Sequence, residues 1–165
     1  MFNALWSRGV VDGATVLDLF AGSGALGIEA LSRGAAQATF VDDDPGARRA
    51  IVRNLDTCGL TDRADVVAGT AERHLDRMAH AGVTVDLALC DPPYAFDGWG
   101  ALLAALPAGF VVVEAADEVA VPSGWQLVRG ARYGGTWVGF AERAPHTPSP
   151  QGAAGGNPDQ PGAER

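Results

Sequence analysis

The sequence predicts an α/β fold with one mostly parallel, seven-stranded sheet, helices on both faces and a C-terminal antiparallel hairpin. Short apolar segments alternate with amphipathic ones along most of the chain, and the connections between them are too long for hairpins, as in parallel sheets. Segments such as residues 85–90 (VDLALC) are largely apolar on both faces, which is typical of strands covered by helices on both sides. The alternation stops near residue 125, where two strand-like segments follow each other without room for a helix.

The predicted elements follow in order along the chain. Short runs rich in Val, Leu and Ala predict strands, and apolar residues at helical spacing predict helices. Pro45 suits a first helical turn, while Gly9 and Gly59 suit helix ends. The strands are predicted at residues 16–19, 38–41, 64–68, 85–90, 110–114, 125–131 and 136–141. The helices are predicted at residues 1–7, 25–33, 45–59, 72–79 and 99–106.

One domain is expected at residues 1–143, followed by a disordered tail at residues 144–165. The chain has 165 residues, of which 47% are hydrophobic, and this is enough for one core. The tail consists mainly of Pro, Gly, Ala, Gln and Ser and has no aromatic or branched aliphatic residue. It therefore cannot bury enough apolar surface to offset the entropy lost on ordering.

A glycine-rich turn follows the first predicted strand. Gly22 and Gly24 allow the backbone to pass close to a ligand, and the helix that begins at about Ala25 directs free N–H groups towards it. With Gly27 the turn matches a dinucleotide-binding fingerprint, and Asp42, roughly 20 residues further on, would be the usual ribose partner. Alone this signal is weak, because the same glycines could serve only the packing of the helix on the strand.

Asp18, just before the glycines, argues against a dinucleotide. Its carboxylate would face two anionic phosphates. S-adenosylmethionine, which carries a positive sulfonium and a positive ammonium but no phosphate, is the better electrostatic partner. We therefore predict S-adenosylmethionine as the cofactor, and an NAD-dependent oxidoreductase is disfavoured.

A second motif, Asp91-Pro92-Pro93-Tyr94, directly follows the fourth predicted strand, at the edge of the sheet where open α/β folds bind ligands. The two prolines restrict the backbone, so the Asp91 carboxylate and the Pro92 carbonyl are held in an extended corner. Two fixed acceptors suit the two N–H bonds of an exocyclic amine, and Tyr94 offers a flat face for the ring that bears the amine. The alternative is a rigid loop without a catalytic role.

The composition limits which partners, metals and locations are expected. The net charge of −8 disfavours a tight grip on nucleic acid, and the densest basic group is Arg48, Arg49 and Arg53, which are also consistent with a solvated helix face. We expect no membrane span, no metal site, a cytoplasmic location and a monomer.

The two motifs resemble those of the RsmD family, bacterial methyltransferases that modify a guanine N2 amine of small-subunit ribosomal RNA. The resemblance rests on residues 18–27 (DLFAGSGALG), 91–94 (DPPY) and 133–136 (YGGT), and it extends from Phe2 to about Ala141. Its most specific part is AGSGALGIEALSRGA at residues 21–35. It implies a Rossmann-like class I methyltransferase fold and methyl transfer from S-adenosylmethionine to a guanine N2 amine of 16S ribosomal RNA.

The resemblance also implies roles for individual residues. Asp42 is expected to bind the ribose hydroxyls, and Asp91, Pro92, Pro93 and Tyr94 are expected to hold the guanine as the catalytic residues. Family members usually have an acidic residue near the adenine after the third strand, whereas this chain has Gly69-Thr70-Ala71, so adenine recognition would depend on Thr70 or on backbone groups. The expected cofactor-binding residues are Asp18, Phe20, Ala21, Gly22, Ser23, Gly24, Gly27, Asp42, Asp43, Thr70 and Ala71.

The expected partner is ribosomal RNA or an assembling small ribosomal subunit. The family carries a basic segment ahead of Phe2 that contributes RNA contacts, and this sequence lacks it, so we expect weak RNA binding by the chain as given. Two other functions stay open. One is an amino-methyltransferase that acts on DNA adenine or cytosine, and the other is a non-catalytic module that binds S-adenosylmethionine or a nucleoside.

Overall fold

A computed structural model describes residues 8–145 of the chain. The predicted helix at residues 1–7 and nearly all of the predicted tail lie outside this range. Within it, seven strands form one sheet in the order β3-β2-β1-β4-β5-β7-β6. The strands are β1 (Thr15–Leu19), β2 (Gln37–Asp42), β3 (Ala64–Ala68), β4 (Val85–Cys90), β5 (Ala108–Ala115), β6 (Trp125–Tyr133) and β7 (Thr136–Arg143).

Four α-helices connect the parallel strands, and their ends carry the expected local signals. The side chain of Asp44 caps the second helix, and Thr70 caps the third. Gly59 and Gly82 end these same two helices in the left-handed conformation that glycine adopts without strain. The helices are α1 (Ala25–Ser32), α2 (Pro45–Cys58), α3 (Ala71–Ala81) and α4 (Trp99–Ala105).

The helices cover both faces of the sheet, as predicted. On one face, Leu31 of α1 and Ile51 of α2 pack in a buried cluster with Phe40 of β2. On the other, Leu75 of α3 and Leu103 of α4 pack in a second buried cluster. Burial of the apolar strands on both sides is the main source of their stability.

The strand order reverses between β1 and β4. β1 pairs in parallel with β2 on one side and with β4 on the other, and β4 pairs in parallel with β5. The carboxyl ends of these strands therefore meet at a switch point, where open α/β sheets bind ligands.

The predicted C-terminal hairpin lies at the edge of the sheet. β6 and β7 are antiparallel and are joined by Gly134 and Gly135, with Gly134 at a φ of 61°. β7 lies between β5 and β6 and runs antiparallel to β5, which brings Thr136 to the edge where the parallel strands end. No helix among residues 8–145 is long and apolar enough to cross a membrane.

Candidate active site

A cavity of about 660 Å³ opens at the switch point. Its walls come from the segments that follow β1, β2, β3 and β4 and from the end of β5. Every predicted site residue except Gly24 and Gly27 lines it. The lining residues are Asp18, Phe20, Ala21, Gly22, Ser23, Ala25, Leu26, Val41, Asp42, Asp43, Asp44, Ala47, Gly69, Thr70, Ala71, Asp91, Pro92, Pro93, Tyr94, Glu114, Ala115 and Thr136.

The glycine turn, residues 20–24, forms one wall of the cavity. Phe20 adopts a φ of 59°, a conformation that is uncommon outside glycine and is maintained only when the surroundings fix it. Hydrogen bonds from neighbouring elements hold this conformation. The Ala21 N–H donates to the carbonyl of Val41 at 3.1 Å. The Asn54 amide on α2 also donates to the Ser23 carbonyl at 2.9 Å. The turn is therefore held by both β2 and α2.

Gly24 and Gly27 are buried and are not among the residues that line the cavity, and their part in cofactor binding stays a prediction. A Cβ on Gly27 would lie 2.3 Å from Cε1 of Phe40 and 2.9 Å from Oδ2 of Asp18. Gly24 has a φ of 79°, and a Cβ there would lie 3.2 Å from the Ile51 side chain. Both glycines allow α1 to pack closely, and neither contributes surface to the cavity.

Asp18 is the one buried charged side chain of the described residues, with 1% of its surface exposed. Its Oδ2 accepts a hydrogen bond of 2.9 Å from the Gly27 N–H. Burial raises the pKa of Asp18 to about 8; the Gly27 hydrogen bond opposes this rise, and the carboxylates of Asp91 and Asp42 add to it. The acid is thus poised to ionise when positive charge enters the cavity.

Asp42 ties the glycine turn to the end of β2. Its Oδ2 accepts from the Gly22 N–H at 2.7 Å, and its Oδ1 accepts from the Asp44 N–H at 2.9 Å. A carboxylate offers about four acceptor positions, so two remain for the hydroxyls of a ligand. Arg48 on α2 supports the same segment, since it donates to the carbonyls of Asp42 and Asp43 at 2.9 and 2.8 Å.

The segment after β3 lies beside Asp42. The Gly69 N–H donates to the Asp42 carbonyl at 3.2 Å. The Thr70 hydroxyl accepts from the Arg73 N–H at 3.4 Å, a long bond that caps α3. A hydroxyl can also donate, so Thr70 retains the capacity to bind a ligand atom.

The acceptor corner, residues 91–94, forms the opposite wall. Pro92 is buried, and the Pro93 carbonyl accepts from the Phe96 N–H at 2.8 Å, which closes the corner into a turn. Among residues 8–145 no donor reaches the Pro92 carbonyl or the Asp91 carboxylate. Partial desolvation by the cavity wall raises the pKa of Asp91 above its ordinary value. Both acceptors remain available to an amine.

Tyr94 presents its ring to solvent at the mouth of the cavity. It is 73% exposed, the most exposed large apolar side chain of the described residues. Its hydroxyl lies 3.2 Å from Oγ1 of Thr136 at the start of β7, which fixes the ring against the hairpin. An exposed, oriented aromatic face suits stacking on a planar base.

Several lining residues were missed from the sequence, and Glu114 and Thr136 are the two that lie beside the acceptor corner. Glu114 lies near the carboxyl end of β5, and the rule that ligands bind at this edge of the sheet could have identified it. Thr136 belongs to the YGGT segment, but its place at the cavity depends on β7 pairing with β5. The other missed residues are Ala25, Leu26, Val41, Asp44, Ala47, Gly69 and Ala115.

The lining is strongly acidic. It includes no Arg or His from the described part of the chain, and the sequence contains no Lys. Such a cavity favours cations and N–H donors and repels phosphate. Within residues 8–145, no group of three or more His, Cys, Asp or Glu side chains is arranged to hold a metal ion. The acidic side chains that line the cavity are Asp18, Asp42, Asp43, Asp44, Asp91 and Glu114.

Comparison with known proteins gives the family. The sequence pattern of a family described as conserved hypothetical protein 95 matches residues 1–142. The chain belongs to this family. The resemblance to RsmD methyltransferases and the class I methyltransferase fold are thereby confirmed.

Three similar proteins illustrate the relationship. YlbH of Bacillus subtilis, provisionally named an rRNA methyltransferase, is 42% identical over 118 residues, which are 67% of this chain and 64% of YlbH. The ribosomal RNA small subunit methyltransferase D of Escherichia coli K12 is 39% identical over 94 residues, 57% of this chain and 44% of that protein. The solved structure of yhhF from Escherichia coli aligns with a TM-score of 0.73 at 31% identity, covering 86% of this chain and 82% of that one. The chain thus spans less than two thirds of the curated relatives it matches.

Proposed function

We propose that this protein transfers a methyl group from S-adenosylmethionine to the exocyclic N2 amine of a guanine in small-subunit ribosomal RNA. One observation carries the proposal: the glycine turn with Asp42 and the acceptor corner with Asp91 face each other across a single acidic cavity. The names of the relatives, which include a ribosomal RNA small subunit methyltransferase, support the choice of RNA.

The residues of one wall suit this cofactor. A volume of about 660 Å³ lies within the range of sites that take a molecule of this size. The two unused acceptor positions on Asp42 suit ribose hydroxyls, and Thr70 with the backbone around Gly69 offers polar groups for the adenine. S-adenosylmethionine supplies an electrophilic methyl group on a positively charged sulfur, and Asp18 with the other carboxylates stabilises that charge.

The acceptor corner suits the amine. The Asp91 carboxylate and the Pro92 carbonyl would each accept one N–H of the amine, which directs the nitrogen lone pair towards the methyl group. As the new N–C bond forms, the C–S bond breaks with its electron pair left on sulfur, and the nitrogen releases one proton. Asp91 can hold that proton, because its raised pKa makes it a better base than an ordinary aspartate.

Two other functions use parts of the same site. An amino-methyltransferase for adenine or cytosine would use the same acceptor corner, because every exocyclic amine offers two N–H bonds. A non-catalytic binding module would use the glycine turn, and Asp91 would have no catalytic role. Neither is favoured by an observation of its own.

Calorimetry tests the cofactor first. S-adenosylmethionine or its demethylated product should bind measurably, and NAD should bind far more weakly, because its two phosphates would enter a cavity lined by carboxylates. Tighter binding of NAD would overturn the cofactor assignment.

A product analysis tests the reaction. The chain is incubated at low salt with labelled cofactor and with under-methylated small ribosomal subunits or their free RNA, and the RNA is digested to nucleosides. Labelled N2-methylguanosine is the expected product. Labelled N6-methyladenosine or N4-methylcytidine would support the first alternative, and cofactor binding without transfer to any base would support the second.

A further inference from the structure

Glu114 lies beside the acceptor corner on the neighbouring strand. Cys90 of β4 pairs with Val113 of β5, so Asp91 and Glu114 follow each other at the same level of the parallel sheet. Both side chains line the same cavity. Glu114 therefore faces the space in which the proposed methyl acceptor would lie.

The Glu114 side chain is not held by hydrogen bonds from the described part of the chain. The carboxylate makes no hydrogen bond or ion pair with any of residues 8–145, although the residue is half-buried. Burial raises the pKa of Glu114, and the nearby carboxylate of Asp91 raises it further. Two neighbouring carboxylates in a partly desolvated wall repel each other, and none of residues 8–145 forms an ion pair with either of them. A ligand that donates a hydrogen bond to each would therefore be stabilised there.

The chemistry of the bases indicates which ligand can do this. In guanine the N2 amine lies next to N1, which carries a hydrogen, so the two positions present adjacent donors. In adenine and cytosine the ring nitrogen next to the exocyclic amine carries a lone pair and no hydrogen. A second carboxylate beside the amine-binding carboxylate therefore attracts guanine and repels the other two bases.

We propose that Glu114 accepts the N1–H of the target guanine and is the residue that selects guanine over adenine and cytosine. The inference rests on the proposed methyl transfer and deepens it, since Asp91 and the Pro92 carbonyl bind an amine of any base. Glu114 adds the contact that only guanine can make among the three bases. A site built to accept a hydrogen bond rejects a close analogue that lacks the donor, because the acceptor is then left without its partner.

The test compares two bases at one position. Wild-type chain, in excess over RNA and saturated with cofactor, first labels under-methylated small-subunit RNA, and the methylated guanine is mapped. The same RNA is then prepared with either guanine or 2-aminopurine at that position. 2-Aminopurine keeps the 2-amine but has a bare N1. The measured quantity is the ratio of the two single-turnover rates.

Two variants sharpen the comparison. Wild type should methylate guanine roughly 10- to 100-fold faster than 2-aminopurine. Glu114→Gln can donate an N–H to a bare N1, so its ratio of the two rates should fall towards one. 2-Aminopurine also lacks O6, but wild type and Glu114→Gln both lose that group. The difference between the rate ratios of the two chains therefore reports the N1 contact alone. Glu118→Gln removes an equal charge from an exposed residue that does not line the cavity, and its ratio should match wild type.

Each outcome decides a separate question. A wild-type ratio within about twofold of one would overturn the role of Glu114 without the need for any variant, as would an unchanged ratio in Glu114→Gln. Methyl transfer to no base by wild type would overturn the proposed function, and the role of Glu114 with it.

Discussion

The two walls of the cavity differ in how their polar groups are satisfied. The cofactor wall comprises the carboxyl ends of β1, β2 and β3 and the segments that follow them. Three of its four lining acidic side chains, those of Asp18, Asp42 and Asp44, accept backbone N–H bonds between 2.7 and 2.9 Å. On the acceptor wall, formed by the end of β5 and the segment after β4, the carboxylates of Asp91 and Glu114 accept no hydrogen bond from residues 8–145.

The difference indicates that the cofactor wall is preorganised for binding, whereas the acceptor wall provides the reactive groups. The cofactor wall is held in shape by its own hydrogen bonds, so its residues serve stability and binding together. On the acceptor wall the carboxylates of Asp91 and Glu114 accept nothing from residues 8–145, so these two side chains can be changed at little cost to the fold. The two walls meet where the rings of Phe20 and Phe96 pack 5.3 Å apart, which links the glycine turn to the acceptor corner.

The largest expected effect is on the acceptor wall. Asp91→Ala should lower the rate of methyl transfer by about 100-fold or more, in the range seen when a preorganised transition-state contact is lost. Because Asp91 makes no hydrogen bond within the described chain, the variant should keep its thermal stability and its affinity for S-adenosylmethionine. Single-turnover rates and calorimetry measure the two properties. Unchanged turnover would show that Asp91 is only a loop residue.

A change behind the cofactor wall should show the opposite pattern. In Gly27→Ala the new Cβ meets the Phe40 ring at 2.3 Å in a buried layer, so the free energy of unfolding should fall by about 3 kcal/mol, the upper part of the range for overpacking. Gly100→Ala is the matched control, because Gly100 lies in α4 with nothing within 4 Å of its would-be Cβ. That variant should be neutral or slightly stabilised. Equal urea midpoints for the two variants would contradict the packing role of Gly27.

The case of Gly27 also shows what the sequence could predict and what it could not. The strand of residues 64–68 and that of 85–90 were predicted with their observed bounds, because the apolar runs end sharply at both sides. The glycine spacing located the turn but could not distinguish a glycine that faces a ligand from one that faces Phe40. That distinction depends on a side chain from another strand.

The site residues were likewise predictable only where a local sequence pattern marked them. Asp91 was predictable because it directly follows a strand and precedes two prolines, which is a local pattern. Glu114 was missed because one carboxylate near a strand end forms no motif. The ligand-edge rule could have indicated its position, but its place beside Asp91 follows only from the pairing of β5 with β4. The hydrogen bond from Gly22 to Asp42 likewise joins residues that only the fold brings together.

A variant on the cofactor wall itself should lose both binding and local order. Asp42→Ala removes the proposed ribose acceptor and releases the Gly22 and Asp44 N–H groups, so S-adenosylmethionine should bind more weakly by on the order of 1 to 3 kcal/mol. Asp56→Ala, on the exposed surface of α2, is the control and should bind like wild type. Titration calorimetry of both variants measures the difference, and equal affinities would remove Asp42 from the binding site.

The smallest expected effect concerns the charge of Asp18. In the free folded protein this carboxyl keeps its proton up to a pKa of about 8, whereas in the unfolded chain it loses the proton near its ordinary value of about 4. The folded state therefore binds more protons between these values, and the stability of the free protein should fall as pH rises through that window. The positive charges of S-adenosylmethionine favour the ionised carboxylate, so binding should expel the proton.

Affinity for S-adenosylmethionine should consequently rise by roughly fivefold between pH 7 and pH 8, as the ionised fraction of Asp18 grows, and should level off above that. Asp18→Asn keeps an oxygen that can accept from the Gly27 N–H but cannot titrate, so its affinity should lack this rise. The amino group of the ligand titrates in the same range, but it does so equally for both chains, so the difference between the two pH profiles reports Asp18 alone. Parallel profiles would mean that Asp18 serves only to hold Gly27, and the cofactor wall would then recognise the positive charge through Asp42 and its other exposed carboxylates.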